Sequence, residues 1–313
     1  MTYRHVSAMP HEVMTCLACR PGGIYADCTL GGAGHARAIC ERIVPDGLLI
    51  GIDQDLDAVE NARNVLAPFA ANVRLFHGNF IQLPDYLNQL HIDAVDGILM
   101  DLGLSQHHLE ASGRGFTFQK DEPLDMRMDT RGPTRAEDLI NGSTEAQLTE
   151  IFQKYGEERW AKRIARAICD ERSTNPVRST GQLVSLIKGA VPARAAAEQK
   201  IHPATRVFMA LRIAVNQELS VLAQFLAAAL DLLKGGGRIC VLSFHSLEDR
   251  LVKQCFSQLA RKCTCPPQLP QCICGGQAKL KLITKKALRP TPQEAAANPM
   301  ARSTRLRCAE KLA

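Results

Sequence analysis

Short apolar runs alternating with helical stretches constrain this chain more than any other feature. Ile24-Tyr25-Ala26-Asp27, Leu48 to Asp53, Val73 to Phe76 and Val95 to Asp101 read as strands, and Ala36 to Val44 and Asp57 to Leu66 as helices between them. Strands that are apolar on both faces belong in a parallel sheet covered by helices on each side. From about His107 to Pro203 there is no convincing buried strand. Thr134 to Ile140, Glu145 to Tyr155, Glu158 to Ile168 and Thr180 to Val191 are helical instead, with Thr144 as a cap and Pro176 and Pro192 as breakers. A long helix over Arg206 to Leu233 then leads through Gly235-Gly236-Gly237 to another strand, Arg238 to Ser243. Lys281 to Thr284 and Ser303 to Ala309 alternate like an edge hairpin. The expected class is α/β: a doubly wound sheet (1–106 and 204–313) interrupted by an inserted all-helical domain (107–203).

Composition narrows the function classes. A chain of 313 residues exceeds one ordinary core. Hydrophobic residues at 46% and charged residues at 22% fit neither a disordered chain nor a membrane bundle. Val221 to Leu233 is interrupted by Gln224 and Asp231 and is too short to span a bilayer, so no membrane partner is expected. Met1 to His5 lacks the apolar run of a signal peptide, and 12 cysteines are too few for a disulfide scaffold. The expectation is a soluble cytoplasmic protein with reduced thiols. A net charge of +6 allows an anionic partner without requiring one.

The first strand runs into Asp27-Cys28-Thr29-Leu30-Gly31-Gly32-Ala33-Gly34-His35. Small residues there let a ligand approach the backbone, and the following helix N-terminus adds partial positive charge. A tight structural turn would leave the same trace. Asp53, roughly 20 residues on at the end of the next strand, shifts the reading to a nucleoside ligand whose ribose it would hold. The glycines do not match the dinucleotide spacing G-x-G-x-x-G. Asp27 would repel a pyrophosphate but attract the ammonium group of S-adenosylmethionine, which favours a methyl donor over NAD.

Further motifs occur in a specific order: Asp101-Leu102-Gly103-Leu104-Ser105, Arg114-Gly115-Phe116, Pro123-Leu124-Asp125-Met126-Arg127-Met128-Asp129, Tyr155-Gly156-Glu157-Glu158-Arg159, His202-Pro203-Ala204-Thr205-Arg206, Ser243-Phe244-His245-Ser246-Leu247-Glu248-Asp249 and Asn298-Pro299. In this set the chain resembles the RsmH (MraW) methyltransferases over nearly its whole length. The resemblance implies a class I methyltransferase (Rossmann-like) fold with a helical insertion. It also implies methylation of the N4 amino group of a cytidine in the decoding region of small-subunit (16S) rRNA, on the free RNA or the assembled subunit. Carried over by position, it places the donor against Ala33, Gly34, His35, Asp53, Phe80 and Asp101. The last contact of that set, normally a Gln, falls on His108, so either the His replaces it or that contact is lost.

A cytosine amino group is a poor nucleophile, because its lone pair is delocalised into the ring. A carboxylate accepting its N–H restores nucleophilic character, and Asp101 at the end of the fourth strand is the catalytic candidate. Asp101 could equally cap the turn that follows it. Leu102-Gly103-Leu104 offers no aromatic ring for the base, leaving Phe116, Phe118 or Phe244. Ser243-Phe244-His245-Ser246 has no matching acid or oxyanion loop, and a strand-end turn explains it. Arg159, Lys162, Arg163 and Arg166 form a basic helical stripe, either a solvated face or an RNA surface. Lys279, Lys281, Lys285, Lys286, Arg289, Arg302, Arg305 and Arg307 make the tail a second phosphate-binding candidate. Cys263, Cys265, Cys272 and Cys274 flank a Pro-rich turn and are candidate zinc ligands, with free or redox-active thiols as the competing reading. Beyond the leading reading stand three others: the same fold acting on another nucleic acid, a donor-binding ribosome-assembly factor, and, more distantly, an NAD-dependent oxidoreductase.

Overall fold

The computed structural model describes residues 6–198, 201–262 and 276–313. The four candidate zinc ligands, Cys263, Cys265, Cys272 and Cys274, lie outside the described residues. The chain divides into two compact units, Leu104–Glu218 and a second formed by Thr2–Gly103 with Leu219–Ala313.

The second unit is built on a seven-stranded sheet: β1 Ile24–Asp27, β2 Leu48–Asp53, β3 Val73–His77, β4 Val95–Asp101, β5 Leu233–Ser243, β6 Leu280–Leu282 and β7 Arg305–Lys311. The order is β3-β2-β1-β4-β5-β7-β6, parallel through β5, with β7 antiparallel to both β5 and β6. The period of two along each strand sorts side chains to opposite faces. Tyr25, Leu49, Leu99, Cys240 and Leu242 join a core that includes residues of helices Pro10–Leu17, Gly34–Ile43 and Leu56–Val65. Ala26, Ile50, Ile98, Met100, Ile239 and Val241 join another, with residues of helices Leu83–Gln89, Glu218–Ala228 and Ser246–Leu259. The architecture is a doubly wound, Rossmann-like sheet, in the α/β class expected from the sequence. The late alternating segments do pair, and β7 adds to the sheet beside β5. Strand order reverses between β1 and β4, and the carboxyl ends at such a reversal form the ligand crevice of doubly wound sheets.

The helical unit contains Gln106–Glu110, Ala136–Gly142, Glu145–Gly156, Ala161–Arg172, Thr180–Ala190, Ala193–Glu198 and Ala204–Asn216. Leu148, Phe152, Ile164, Ile168, Leu183, Ile187, Phe208 and Leu211 fill its core. The side chains of Thr144 and Ser179 cap two of these helices. The unit extends to Glu218, past residue 203, where the sequence reading ends its helical insertion. The cause is a break in the expected long helix over 206–233. Gln217 adopts a left-handed conformation, φ 51°, and its N–H closes on the carbonyl of Ile213. Arg212 meets Glu218 across the break in two 2.8 Å bonds. No Gly or Pro marks this stop, so the amphipathic pattern runs through it. No described helix is long and apolar enough to cross a membrane.

Candidate active site

β1 ends on Asp27, paired with Leu99, and its neighbour β4 runs two residues further to Asp101; the turn after β1 ties the two ends together. Thr29 donates its backbone N–H to Asp27 Oδ1 at 3.1 Å, an Asx-type turn. Thr29 Oγ1 then accepts the backbone N–H of Asp101 at 2.6 Å. The turn goes on through Gly31 and Ala33, with φ 45° and 61°, into helix Gly34–Ile43. Left-handed backbone is inexpensive at Gly31 and costs Ala33 more. Gly34 also has to be small, since a Cβ there would lie 2.3 Å from Ser7 Oγ.

The first turn of that helix turns His35 inward, 4% exposed, with Nε2 at 3.5 Å from Asp101 Oδ2. Burial opposes charge on His35, but the Asp101 and Asp27 carboxylates outweigh it and raise the imidazole above its ordinary value. Asp27 is fully buried, and its Oδ2 has no hydrogen-bond partner. Desolvation pushes its pKa up to about 7, despite opposition from His35 and the Thr29 N–H.

Asp53 ends β2, where its two oxygens accept the N–H groups of Gly31 and Asp55, each at 2.9 Å. Burial lifts its pKa to about 6 against those bonds. The Gly78 N–H bonds to the Asp53 carbonyl at 2.9 Å, so the segment carrying Phe80 follows directly from β3 beside the end of β2. Phe80 is half-buried, and its ring meets Phe225 edge to face at 5.2 Å.

The turn after β1 and the ends of β1, β2, β3 and β4 thus carry six of the seven residues named from sequence: Ala33, Gly34, His35, Asp53, Phe80 and Asp101. His108 belongs to the helical unit. Its Nδ1 accepts the Ser105 N–H at 3.1 Å, completing the capping box of helix Gln106–Glu110, and its ring lies 4.9 Å from Phe116. Of the three candidate base-stacking rings, Phe116 and Phe118 pack with the helical unit's core, Phe118 against His202 and Phe208. Phe244 follows β5 and lies against the Gly103 turn, where a Cβ would approach its ring to 3.2 Å. Ser243 Oγ is buried without a partner, while His245 N-caps helix Ser246–Leu259, with Nε2 3.1 Å from Glu248 Oε1. That is the strand-end turn, with no activated serine.

The sequence gives no prominence to Thr29 as the link between Asp27 and Asp101, although an Asp two residues before a Thr is an Asx-turn signal. Ser7 has no such signal, because its contact with Gly34 is non-local.

This geometry has close relatives along its entire sequence. The chain is 54% identical over 312 residues to the ribosomal RNA small subunit methyltransferase H of Desulfosudis oleivorans, covering 100% of both chains. Identity to the protein of the same name from Desulforapulum autotrophicum is 53%, covering 99% of each. The Geobacter sulfurreducens protein, again of that name, is 53% identical with 100% of both chains covered. A family model described as the MraW methylase family matches residues 2–312, and the chain belongs to that family.

Proposed function

We propose that this protein transfers a methyl group from S-adenosylmethionine to the N4 amino group of a cytidine in the decoding region of small-subunit rRNA, in the cytoplasm. The observation that carries the reading is the crevice between β1 and β4. There a buried Asp27 oxygen has no partner, and Asp101 is anchored through its backbone to Thr29.

The residues present fit such a donor. The unpartnered Asp27 Oδ2 is an acceptor for an ammonium group, which would favour the ionised carboxylate. Asp53 is anchored by two backbone N–H groups and keeps lone pairs for ribose hydroxyls. Phe80, braced by Phe225, offers an aromatic wall for adenine. Ala33 and Gly34 form the start of the helix whose N-terminus faces the donor in this assignment. His35 holds the Asp101 side chain. His108, which caps its own helix in the helical unit, is kept only as the counterpart by position of the usual Gln.

S-adenosylmethionine supplies an electrophilic methyl group on a positively charged sulfur. Asp101 accepts an N–H bond from the cytosine amino group, which directs the nitrogen lone pair along the line of attack. Methyl transfer makes the nitrogen–carbon bond, breaks the carbon–sulfur bond and releases one amino proton, for which Asp101 is the assigned acceptor. Alignment is the main contribution, and orientation of this kind can supply about 7–11 kcal/mol of a barrier. Phe244, beside the Gly103 turn, is assigned as the ring that packs on the base. The helical insertion is assigned to RNA recognition, and the target cytidine has to be unpaired or flipped to enter.

The test is nucleoside mass spectrometry of small ribosomal subunits from cells lacking the gene, after incubation with the protein and isotopically labelled donor. The reading expects the label on a cytidine N4 in a decoding-region fragment. Label on another nucleic acid would redirect the substrate assignment. Donor binding without labelled product would favour an assembly factor.

A further inference from the structure

Between Asp249 and Glu294 the chain carries nine Lys or Arg residues and no Asp or Glu. This stretch exceeds the whole net charge of +6, so the remainder of the protein is net acidic. Helix Ser246–Leu259 opens the stretch with Leu247, Val252 and Phe256 buried. Its opposite side, continued through Arg261, presents Arg250, Lys253, Gln254, Ser257, Gln258 and Arg261, which line one groove. Spacings of three and four put these residues on a single face. The two acids at the start of the helix face elsewhere. Glu248 closes the capping box, and Asp249 is buried against Arg305 and Arg307, each at 2.7 Å.

That pairing changes the tail. Arg305 and Arg307 are committed to Asp249, while Lys279, Lys281, Lys285, Lys286 and Arg289 are exposed. The Lys279 N–H bonds to the carbonyl of Leu259 at 2.8 Å, which brings the tail's cations to the C-terminal end of the same helix. The helix begins immediately after Phe244, at the end of β5 next to β4 and Asp101. The basic helix therefore starts beside the strand ends of the proposed methyl-transfer crevice.

We propose that the Arg250–Lys253–Arg261 face, extended by Lys279 and Lys281, is a docking track for the phosphate backbone of the substrate RNA. This rests on the rRNA reading above and adds the surface that holds the strand. The groove offers cations and amide or hydroxyl donors, a set that matches phosphate oxygens and carries no base code. In the helical unit, by contrast, Arg159 and Arg163 both lie over the ring of Trp160, at 5.2 and 5.6 Å.

The test is fluorescence anisotropy with a labelled decoding-region RNA fragment, titrated at several salt concentrations. It compares the full-length protein with the triple variant Arg250→Gln, Lys253→Gln, Arg261→Gln. Loss of three phosphate contacts lowers the slope of log affinity against log salt by about 2, and affinity at 0.1 M salt by roughly 10–100-fold. Donor affinity, measured by calorimetry, stays unchanged. The charge-preserving variant Arg250→Lys, Lys253→Arg, Arg261→Lys should restore the slope. Unchanged RNA affinity and slope in the Gln variant would overturn the proposal, as would tighter binding to anionic vesicles than to RNA. Because the assay reads binding alone, failure of the track is distinguishable from failure of the methylation reading, which shows as unlabelled cytidine with wild-type protein.

Discussion

β4 carries an aspartate near each end, and the two are treated in opposite ways. Asp96, at the start, accepts from the Ile24 N–H at 2.9 Å, from Lys234 at 2.8 Å and from Arg20. Burial works against its charge, but these bonds win and hold its carboxyl below the ordinary range. At the other end, Asp101 stands beside Asp27 with one imidazole near them, and burial dominates Asp27. A carboxylate that closes a backbone N–H and has cations of its own holds the fold together. A cluster of acids sharing one histidine costs stability and is retained for a ligand.

The comparison predicts a crossover between two variants. Asp101→Asn should lower the single-turnover methylation rate roughly 100–1,000-fold, the scale of losing one positioned polar group in an active site. Its thermal midpoint should stay close to wild type. Asp96→Ala should do the reverse. It leaves the Ile24 N–H without its acceptor, costing about 1–3 kcal/mol. The ion pairs add little, since the Arg20 side chain is 70% exposed and that of Lys234 43%. Scanning calorimetry should show a midpoint lower by several degrees, with the rate per folded molecule unchanged. If both variants lost activity equally at equal stability, the two ends would not be distinct.

The next effect is a pH dependence of opposite sign at the two ends. Asp27, with its folded pKa raised to about 7 from an unfolded value of 3.8, stabilises the fold fully below 3.8 and loses that contribution as pH rises through about 7. Asp53, raised to about 6, acts in the same direction. Asp96, depressed, contributes above its unfolded value and loses its contribution as pH falls through its folded value. Urea midpoints of Asp27→Asn should therefore decline less than wild type between pH 5 and 8. Donor affinity of wild type should rise over pH 6–8 as Asp27 ionises. Calorimetry on Asp27→Asn should find that rise abolished and affinity about tenfold weaker at pH 8, the size of one charged hydrogen bond.

The smallest effect sharpens the geometry of the turn. Ala33→Gly relieves a left-handed alanine at φ 61° and should raise stability by up to about 1 kcal/mol in urea titrations, with donor affinity within threefold of wild type.

Much of this was legible without coordinates, and the boundary of legibility is physical. The limits of β1, β2 and β4 follow from apolar runs that end on aspartates, and the placement of Asp27, Asp53 and Asp101 follows with them. The break at Gln217 was hidden because a non-glycine residue takes the left-handed stop, secured in part by an Arg212–Glu218 pair that periodicity does not register. Arg305 and Arg307 looked like exposed tail charges because their partner, Asp249, is more than fifty residues away in sequence. Local pattern reveals which face of an element is apolar. It does not reveal which charges have already found each other.

The most direct test of the contrast between the two ends is hydrogen exchange, followed by mass spectrometry, with and without saturating S-adenosylhomocysteine. The account predicts slowed exchange in peptides covering residues 27–37, 51–55, 77–82 and 99–104, with little change around Arg20–Ile24 and Lys234. Protection centred on the Asp96 end, or none at the ends of β1 and β4 with the ligand demonstrably bound, would contradict it.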